Sequence, residues 1–200
     1  GWSEDSPILL LCVTRPELLE GRQGWASAAT RSITIELDPL TGEQSDRLVQ
    51  NLLDSSSVSE EFRRRVVESA EGNPLFVEEM LGMLIDEEKL KHEGDRWLVM
   101  GELDSIAAPP SVQSLLAARI ERLPEEEHRI LQHASVVGKV FEWDAVADLA
   151  LPGDRTRVGS RLQALVRKGM IRPETTFAGE DAFRFHHILI RDAAYESLPK

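Results

Sequence analysis

The chain has 200 residues, of which 35 are acidic and 23 basic, so its formal charge is −12 and its pI is near 4.9. This charge makes the chain as a whole a poor non-specific DNA binder. Cys12 is the only cysteine, which excludes an internal disulfide framework and a thiolate zinc site. No apolar run reaches the length of a membrane span and no signal peptide is visible. We therefore expect a cytoplasmic protein with no membrane partner.

The first 38 residues have the pattern of β-strands. Residues 8–13 form a continuous apolar run, which predicts a strand covered on both faces. Residues 32–37 alternate between apolar and polar side chains, which predicts a half-covered strand. Two strands do not make a stable sheet, and the chain does not begin with methionine. We therefore expect 1–38 to be the end of an α/β core whose other strands lie upstream in a longer protein.

Residues 39–123 have the pattern of a small helical domain. Thr41 and Gln44 have capping-box spacing in front of the first predicted helix, and Ser57 and Glu60 have the same spacing in front of the second. Apolar residues recur at helical spacing after each cap.

Turn residues separate the next elements of this domain. Gly72 ends the second predicted helix, and Asn73 and Pro74 are typical of the N-cap and first turn of a third. Gly94 predicts a small β-hairpin, and Ser111 caps a fourth predicted helix.

Residues 124–200 predict three amphipathic helices, then two strands on either side of a loop with Gly179, and a last helix over 188–198. Three helices followed by a two-stranded wing is the order of a winged-helix domain. The whole chain is therefore predicted to be mainly α with minor β.

Most catalytic signatures are missing from the sequence. It contains no phosphate-binding loop of the type G-x-x-x-x-G-K-[ST] and no HExxH, GxSxG or GxGxxG motif. The first predicted strand ends at Thr14 and Arg15 without a carboxylate, so it lacks the magnesium ligand of a Walker B strand. His186 and His187 point about 100° apart if they are helical, which does not suit a shared metal. We predict no metal site within the chain.

Three features favour phosphate or nucleotide chemistry. Arg15 follows a predicted strand at the end where open α/β sheets bind ligands, and a guanidinium there is suited to a phosphate. The Gly72-Asn73-Pro74 turn begins a helix, whose N-terminus carries positive potential. His187 begins the last helix after the wing. The alternatives are a surface arginine, an ordinary helix–helix turn and a histidine with a structural role.

Several segments occur in an order that we recognise. They are VTRPE at 13–17, LDPL at 37–40, EGNPLFVE at 71–78, SVVGKVF at 135–141, FHHILIR at 185–191 and AYESL at 194–198. Together they resemble the STAND class of P-loop ATPases, the signal-transduction ATPases with numerous domains. The chain is most similar to the bacterial branch found in LuxR-type regulators and fused to class III nucleotide cyclases.

The resemblance implies a role for each candidate residue. Arg15 matches the first-sensor arginine, which faces the terminal phosphate of ATP. Gly72 and Pro74 match the G-x-P motif, whose proline contacts adenine. His187 matches the winged-helix histidine that contacts the β-phosphate of ADP. Ile188 stands where plant and animal members often carry aspartate, so the locking role of that aspartate does not transfer.

The resemblance also implies a domain organisation, a function, a cofactor and partner domains. The domains would be the end of a P-loop core (1–38), a helical lid (39–123) and a winged helix (124–200). The lid and winged helix would close over ADP, and exchange for ATP would favour an open state. The complete protein would be an ATPase using ATP or ADP with Mg²⁺, whereas this chain lacks Walker A and Walker B and should be inactive alone. Its partners would be the upstream core and downstream sensor or output domains.

Two other functions remain open from the sequence. The third helix of the predicted winged helix is basic, which is the recognition position in DNA-binding members of that fold. Its cations are Arg155, Arg157, Arg161, Arg167 and Lys168. The chain could therefore be the DNA-binding module of a transcriptional regulator, or a helical scaffold without a ligand.

Overall fold

A computed structural model describes residue 9 and residues 11–21, 33–53, 58–94, 96–101, 109–150, 153–175 and 181–199. Contacts divide the chain into two compact units, Gly1–Asp38 and Pro39–Lys200. The described part is mainly α-helical with two small antiparallel sheets, which confirms the predicted fold class. Within that part, each helix is too short or too polar to cross a bilayer.

The two strands predicted in the first unit are not formed at the described positions. Leu9, residues 11–13 and residues 33–37 adopt no regular structure, and helix α1 (Pro16–Gly21) follows Arg15 directly. Ile8, Leu10 and Ser32 lie outside the described residues. The apolar side chains that should have been covered are 77% to 92% exposed; they are Leu9, Leu11, Val13, Ile33, Ile35 and Leu37. An apolar pattern specifies a face but supplies no partner strand, and the described residues offer none.

The second unit begins with two capped helices. Helix α2 (Gly42–Leu52) has the predicted capping box: Gln44 N–H donates to Thr41 Oγ1 at 3.3 Å, and Thr41 N–H donates to Gln44 Oε1 at 2.8 Å. Helix α3 (Glu60–Ala70) is capped by Ser59, whose Oγ accepts from Phe62 N–H at 3.2 Å. The predicted cap, Ser57, lies outside the described residues. The capping serine in the structure is therefore two residues later than predicted.

The next elements follow the predicted order. Helix α4 (Pro74–Asp86) is followed by the hairpin of β1 (Leu90–Glu93) and β2 (Arg96–Val99), in which Leu90 lies opposite Val99. Helix α5 (Val112–Glu121) begins after Ser111, which forms a capping box with Ser114. Both the hairpin and the serine cap are thus confirmed.

The remaining residues form three helices, a hairpin and a last helix, as predicted. The elements are α6 (Glu125–Val137), β3 (Val140–Glu142), α7 (Trp143–Leu149), α8 (Val158–Arg167), β4 (Ile171–Thr175), β5 (Asp181–Phe185) and α9 (Ile188–Glu196). Strand β3 was not predicted, because three residues show too little alternation to be recognised. It pairs antiparallel with β5, which gives the sheet order β3-β5-β4.

One hydrophobic cluster runs through the second unit. It includes Phe62, Met80 and Leu84 from the first helices, and Leu162 and Phe185 from the later ones, each almost fully buried. Burial of one such side chain contributes roughly 1.5–3 kcal/mol. Helix α5 packs against both α4 and α9. Residues 39–123 and 124–199 are therefore joined by a shared core.

Candidate functional site

The turn between α3 and α4 is held by a close backbone approach. Glu71 and Gly72 both have left-handed backbone conformations, with φ of 47° and 79°. The Gly72 carbonyl accepts a hydrogen bond from Leu40 N–H at 2.9 Å. A Cβ on Gly72 would lie 2.5 Å from the Leu40 carbonyl oxygen, closer than real Cβ contacts allow. The turn therefore requires glycine at this position, and it brings Asn73 and Pro74 to the surface.

The first backbone amides of α4 are already hydrogen-bonded to Asn73. Asn73 Oδ1 accepts from Leu75 N–H at 3.0 Å and from Phe76 N–H at 3.3 Å. Val77 N–H donates to the Asn73 carbonyl at 3.2 Å, and Pro74 has no N–H. Asn73 therefore satisfies these amides, and they are not free donors for a phosphate. The exposed group that remains for a ligand is the rigid apolar ring of Pro74.

His187 is the N-cap of α9. Its Nδ1 accepts a hydrogen bond from Leu189 N–H at 3.2 Å, and its carbonyl accepts from Ile190 N–H at 3.1 Å. A neutral imidazole that accepts at Nδ1 carries its hydrogen on Nε2. The side chain is half-buried. The cap thus fixes a tautomer in which Nε2–H is the donor left for another partner.

His186 is close to a buried carboxylate on α4. The His186 backbone N–H donates to the Met170 carbonyl at 3.0 Å, and the residue is exposed. Burial raises the pKa of the Glu79 carboxyl, whereas Arg119 and the positive charge of His186 act to lower that pKa. The imidazole is therefore close enough to Glu79 to act on it. The Met170 carbonyl lies two residues after Lys168, whose carbonyl accepts from Arg119, so the histidine turn is linked to α4 through Arg119.

A buried polar cluster that the sequence did not predict surrounds Arg119. The guanidinium donates from Nε and Nη2 to Asp86 Oδ2 at 3.1 and 2.9 Å, and from Nη1 to Glu79. Nη2 also donates to the Lys168 carbonyl at 2.9 Å. A Cβ on Gly82 would lie 2.8 Å from Nη1, so the missing side chain makes room for the guanidinium. Arg119 and Glu79 are both buried.

A pattern along the sequence could have revealed this cluster. Glu79, Gly82 and Asp86 lie three and four residues apart, which places them on one face of α4. A glycine inside a helix has a packing reason more often than not. Arg119 stands inside the apolar run of α5. Both unusual features, the glycine between two carboxylates on α4 and the arginine in α5, are visible in the sequence. Only the fold shows that they contact each other.

Arg15 lies in the first unit, whereas the other candidate residues belong to the second. It is exposed and precedes α1, and its carbonyl accepts from Leu18 N–H at 3.1 Å. The predicted position at the end of a strand is wrong for the described residues, since 11–13 adopt no strand. The structure thus brings Gly72, Asn73 and Pro74 together in one turn, and Arg15 belongs to a different unit.

The cations of the predicted recognition helix are mostly paired with carboxylates. Arg155 contacts Asp148 at 2.9 Å and Lys168 contacts Glu127 at 2.8 Å. Arg157 and Arg161 both contact Glu126. Two of these arginines, Arg155 and Arg157, lie in a 3₁₀ turn before α8 and not in the helix itself. This pairing neutralises most of the positive face on which the DNA-binding alternative depends.

A cavity of about 120 Å³ lies between α6, α7 and α8. His133 and Arg129 line it from α6, and Arg157 and Arg161 line it from the opposite side. Burial and the charge of Arg129 lower the pKa of the His133 imidazole. The described lining contains none of the predicted nucleotide residues, so this cavity is separate from the turns at Gly72 and His187.

Comparison with known proteins adds one match. A family model described as a domain of unknown function, DUF8739, matches residues 41–97. The matched range runs from the cap of α2 into β2, and it includes the Gly72 turn and Glu79. No curated protein and no solved structure matches the chain. The match covers less than a third of the chain and carries no activity with it.

The raised pKa of Glu79 gives a pH prediction. The folded state holds the Glu79 proton more tightly than the unfolded state does, so this group stabilises most below its ordinary pKa of 4.5. Its contribution is lost as pH rises through the folded pKa. Glu79→Gln should therefore become more stable relative to the parent as pH rises from about 4.5 to about 8. Urea unfolding of both proteins at matched pH measures this difference.

Neighbouring charges must be separated from that effect. Glu78 raises the Glu79 pKa further, and Arg119 and His186 oppose the rise. Asp86 shares the same guanidinium. Repeating the comparison in a His186→Asn background removes the imidazole charge that acts on Glu79. A stability difference that stays constant or falls with rising pH would contradict the prediction.

Proposed function

We propose that this chain belongs to a nucleotide-controlled switch of the STAND type. In this proposal residues 1–38 end a P-loop ATPase core, 39–123 form the lid and 124–200 form a winged helix. The proposal is supported by the ordered sequence segments and by the order of helices and strands. Within 124–199 that order is helix, strand, two helices and a hairpin, with the antiparallel sheet order β3-β5-β4. This arrangement matches the winged-helix pattern.

The observation that carries the proposal is a chain of hydrogen bonds from α4 to the histidine turn. Arg119 donates to Glu79 and to the Lys168 carbonyl. His186 N–H donates to the Met170 carbonyl two residues later.

Glu79 lies five residues after Pro74 on the same helix. In this proposal one nucleotide bridges the two turns, with its base at Pro74 and its phosphates at His187. The two residues would then close on one ligand from two parts of the same unit.

The hydrogen bonds at the two turns support different roles for Pro74 and His187. Asn73 satisfies the first amides of α4, so Pro74 offers an apolar ring to the flat face of adenine and the turn offers no phosphate donors. His187 offers Nε2–H, a donor suited to a β-phosphate oxygen. The described residues bring no three carboxylate, imidazole or thiol groups together as metal ligands. Magnesium would therefore be held by the upstream core.

The class of the protein can be tested directly at the gene. We expect the coding sequence upstream of residue 1 to encode a G-x-x-x-x-G-K-[ST] loop and a strand that ends in a carboxylate. A complete protein without either feature would overturn the proposal. The lid and winged helix would then belong to a scaffold or to a DNA-binding module.

His187 supplies the most direct functional prediction. In the complete protein, His187→Ala should speed ADP dissociation by about 10- to 100-fold, because a hydrogen bond to a charged phosphate contributes roughly 1.5–3 kcal/mol. His187→Ser should cause the same loss of ADP while leaving the melting temperature unchanged, since serine is a good N-cap but is too short to reach the phosphate. ADP release after mixing with excess unlabelled nucleotide measures the effect.

The control for the His187 variants is a cap at a different helix. Ser111→Ala removes the cap of α5 and should lower stability without changing ADP release. His186→Ala is an unsuitable control, because His186 acts on Glu79. If the His187→Ser protein retains ADP as the parent does, His187 is a helix cap and not a ligand contact.

Arg15 should act on the ATP side of the cycle. In the complete protein, Arg15→Ala should slow ATP hydrolysis by about 30- to 1000-fold, which corresponds to roughly 2–4 kcal/mol for a charged contact in a dry site. ADP release should change little. Arg47→Ala is the matched control, because Arg47 is an exposed arginine whose ion pair among the described residues is with Glu43 of its own helix. Equal rates of ATP hydrolysis in the two variants would show that Arg15 does not contact ATP.

A further inference from the structure

We propose that the cavity between α6, α7 and α8 binds a small aliphatic carboxylate. The carboxylate group would contact the guanidinium groups and the imidazole of the lining, and a short apolar tail would contact its aliphatic side chains. The predicted nucleotide residues are absent from the described lining, so this site does not depend on the proposed nucleotide switch.

Cationic side chains line the cavity from two sides. Arg129 comes from α6, whereas Arg157 and Arg161 come from the 3₁₀ turn and from α8. Two carboxylates, Glu126 and Asp154, belong to the same lining. The guanidinium groups therefore outnumber the carboxylates by one, and the positive charge in excess complements a monoanion.

Among the described residues, Arg129 has no carboxylate at hydrogen-bond distance. Its nitrogens lie 3.6 Å from Asp154 Oδ2 and 3.9 Å from Glu125 Oε1. Nitrogen–oxygen hydrogen bonds are about 2.7–3.2 Å long. The Glu125 side chain is 88% exposed, so water screens that ion pair. Arg129 can therefore bind an anion without giving up a hydrogen bond to either carboxylate.

Three buried polar atoms of the lining residues have no hydrogen-bond partner in the described part of the chain. They are His133 Nδ1, Arg161 Nε and Glu126 Oε2. Glu126 Oε2 is in ion-pair contact with Arg161 Nη2, which leaves Arg161 Nε–H without an acceptor. Buried polar groups nearly always have a partner, because an unmade hydrogen bond costs free energy. The two oxygens of a carboxylate are suited to Arg161 Nε–H and to an imidazole that carries its hydrogen on Nδ1.

The remaining lining sets the size and polarity of the ligand. Ile130, Leu149 and Val158 contribute aliphatic surface. The cavity volume is about 120 Å³, and a cavity of roughly 150 Å³ accommodates benzene. The site therefore has room for about five non-hydrogen atoms, which is the size of propionate. Inorganic phosphate is less suitable, because it has no apolar part and carries more negative charge than the lining balances.

Titration of the 200-residue chain with sodium propionate tests the site. Nuclear magnetic resonance of the histidine side chains reports binding at a known position, since His133 is the histidine of the described lining. We expect saturable binding with a dissociation constant below about 5 mM and the largest shift at His133. Propionamide has the same shape without the charge and should bind at least about tenfold more weakly. Sodium chloride at the same ionic strength is the reference.

Two variants test the contacts with the ligand. Arg161→Gln removes the Nε–H donor, and Ala150→Leu keeps every charge but fills part of the cavity. Each should weaken propionate binding by about tenfold or more. Arg155→Gln is the matched control, because Arg155 pairs with Asp148 and is absent from the described lining. This variant should bind propionate within about twofold of the parent.

Melting curves of the same samples check that each variant is folded. A propionate response at His133 that does not saturate, or a dissociation constant above about 5 mM, would overturn the proposed site. Phosphate or propionamide that binds as tightly as propionate would show that the cavity does not select a carboxylate. Folded Arg161→Gln and Arg155→Gln proteins with equal affinity for propionate would also contradict the proposal.

Discussion

Replacement of Arg119 alone by methionine is expected to lower the free energy of unfolding by about 3–5 kcal/mol. The substitution leaves Glu79 buried without its counter-charge and leaves the Lys168 carbonyl without its donor. Asp86 is less affected, because its side chain is 28% exposed and can turn toward water. Urea unfolding of the two proteins at neutral pH measures the loss.

Two further variants show whether the loss comes from an unpaired buried charge. Arg122→Met removes an arginine at the C-cap of the same helix, but its side chain is 56% exposed, so the cost should stay below about 1 kcal/mol. Adding Glu79→Met to Arg119→Met removes the stranded carboxylate and should recover most of the stability. An Arg119→Met protein as stable as the Arg122→Met protein would contradict this account.

The helices were predictable because their signals are local. Thr41, Ser111 and Asn73 each act on amides two or three residues away, and the structure uses all three as caps. Such a signal needs no information about the rest of the chain. The α3 cap was misplaced by two residues because Ser57 and Ser59 carry the same chemistry, and only the backbone decides between them.

The strands and the Arg119 cluster were harder to predict because the residues that pair in them are far apart along the sequence. Residues 8–13 have a strand pattern, but a strand forms only against a neighbour, and no sequence pattern supplies one. Strand β3 depends on pairing with β5, about 40 residues later. Arg119 meets Glu79 across 40 residues of chain. In each case the pattern marked an unusual residue, and the fold determined what that residue contacts.

In the candidate site, too, the local features were predictable and the specific contacts were not. The sequence placed Asn73, Pro74 and His187 at helix N-termini, and the structure agrees. It did not indicate that Asn73 occupies the amides of α4 or that His187 presents Nε2, because both depend on a particular hydrogen bond. These bonds leave the apolar ring of Pro74 as the exposed group of the α4 turn and Nε2–H of His187 as the donor of the α9 turn.

Gly72→Ala should be one of the most damaging single substitutions in the second unit, with an expected loss of about 2–5 kcal/mol. The left-handed backbone at φ 79° costs an L-residue about 1–2 kcal/mol. The new methyl group would lie 2.5 Å from the Leu40 carbonyl oxygen and 2.9 Å from Pro39 Cβ, and relief of that overpacking costs about 1–3 kcal/mol more. Moving the backbones apart also weakens the Leu40–Gly72 hydrogen bond. Urea unfolding measures the total.

Gly94→Ala separates the two causes. Gly94 has a similar φ of 61°, but a Cβ there would meet no atom of the described residues within 4 Å beyond its chain neighbours. Its cost should therefore be limited to the backbone term of about 1–2 kcal/mol. The difference between the two alanine variants isolates the contact with residues 39 and 40, which joins the start of the second unit to the turn before Pro74. Equal losses would mean that Gly72 is required only for its backbone conformation, and that the approach of Leu40 contributes nothing to holding the turn.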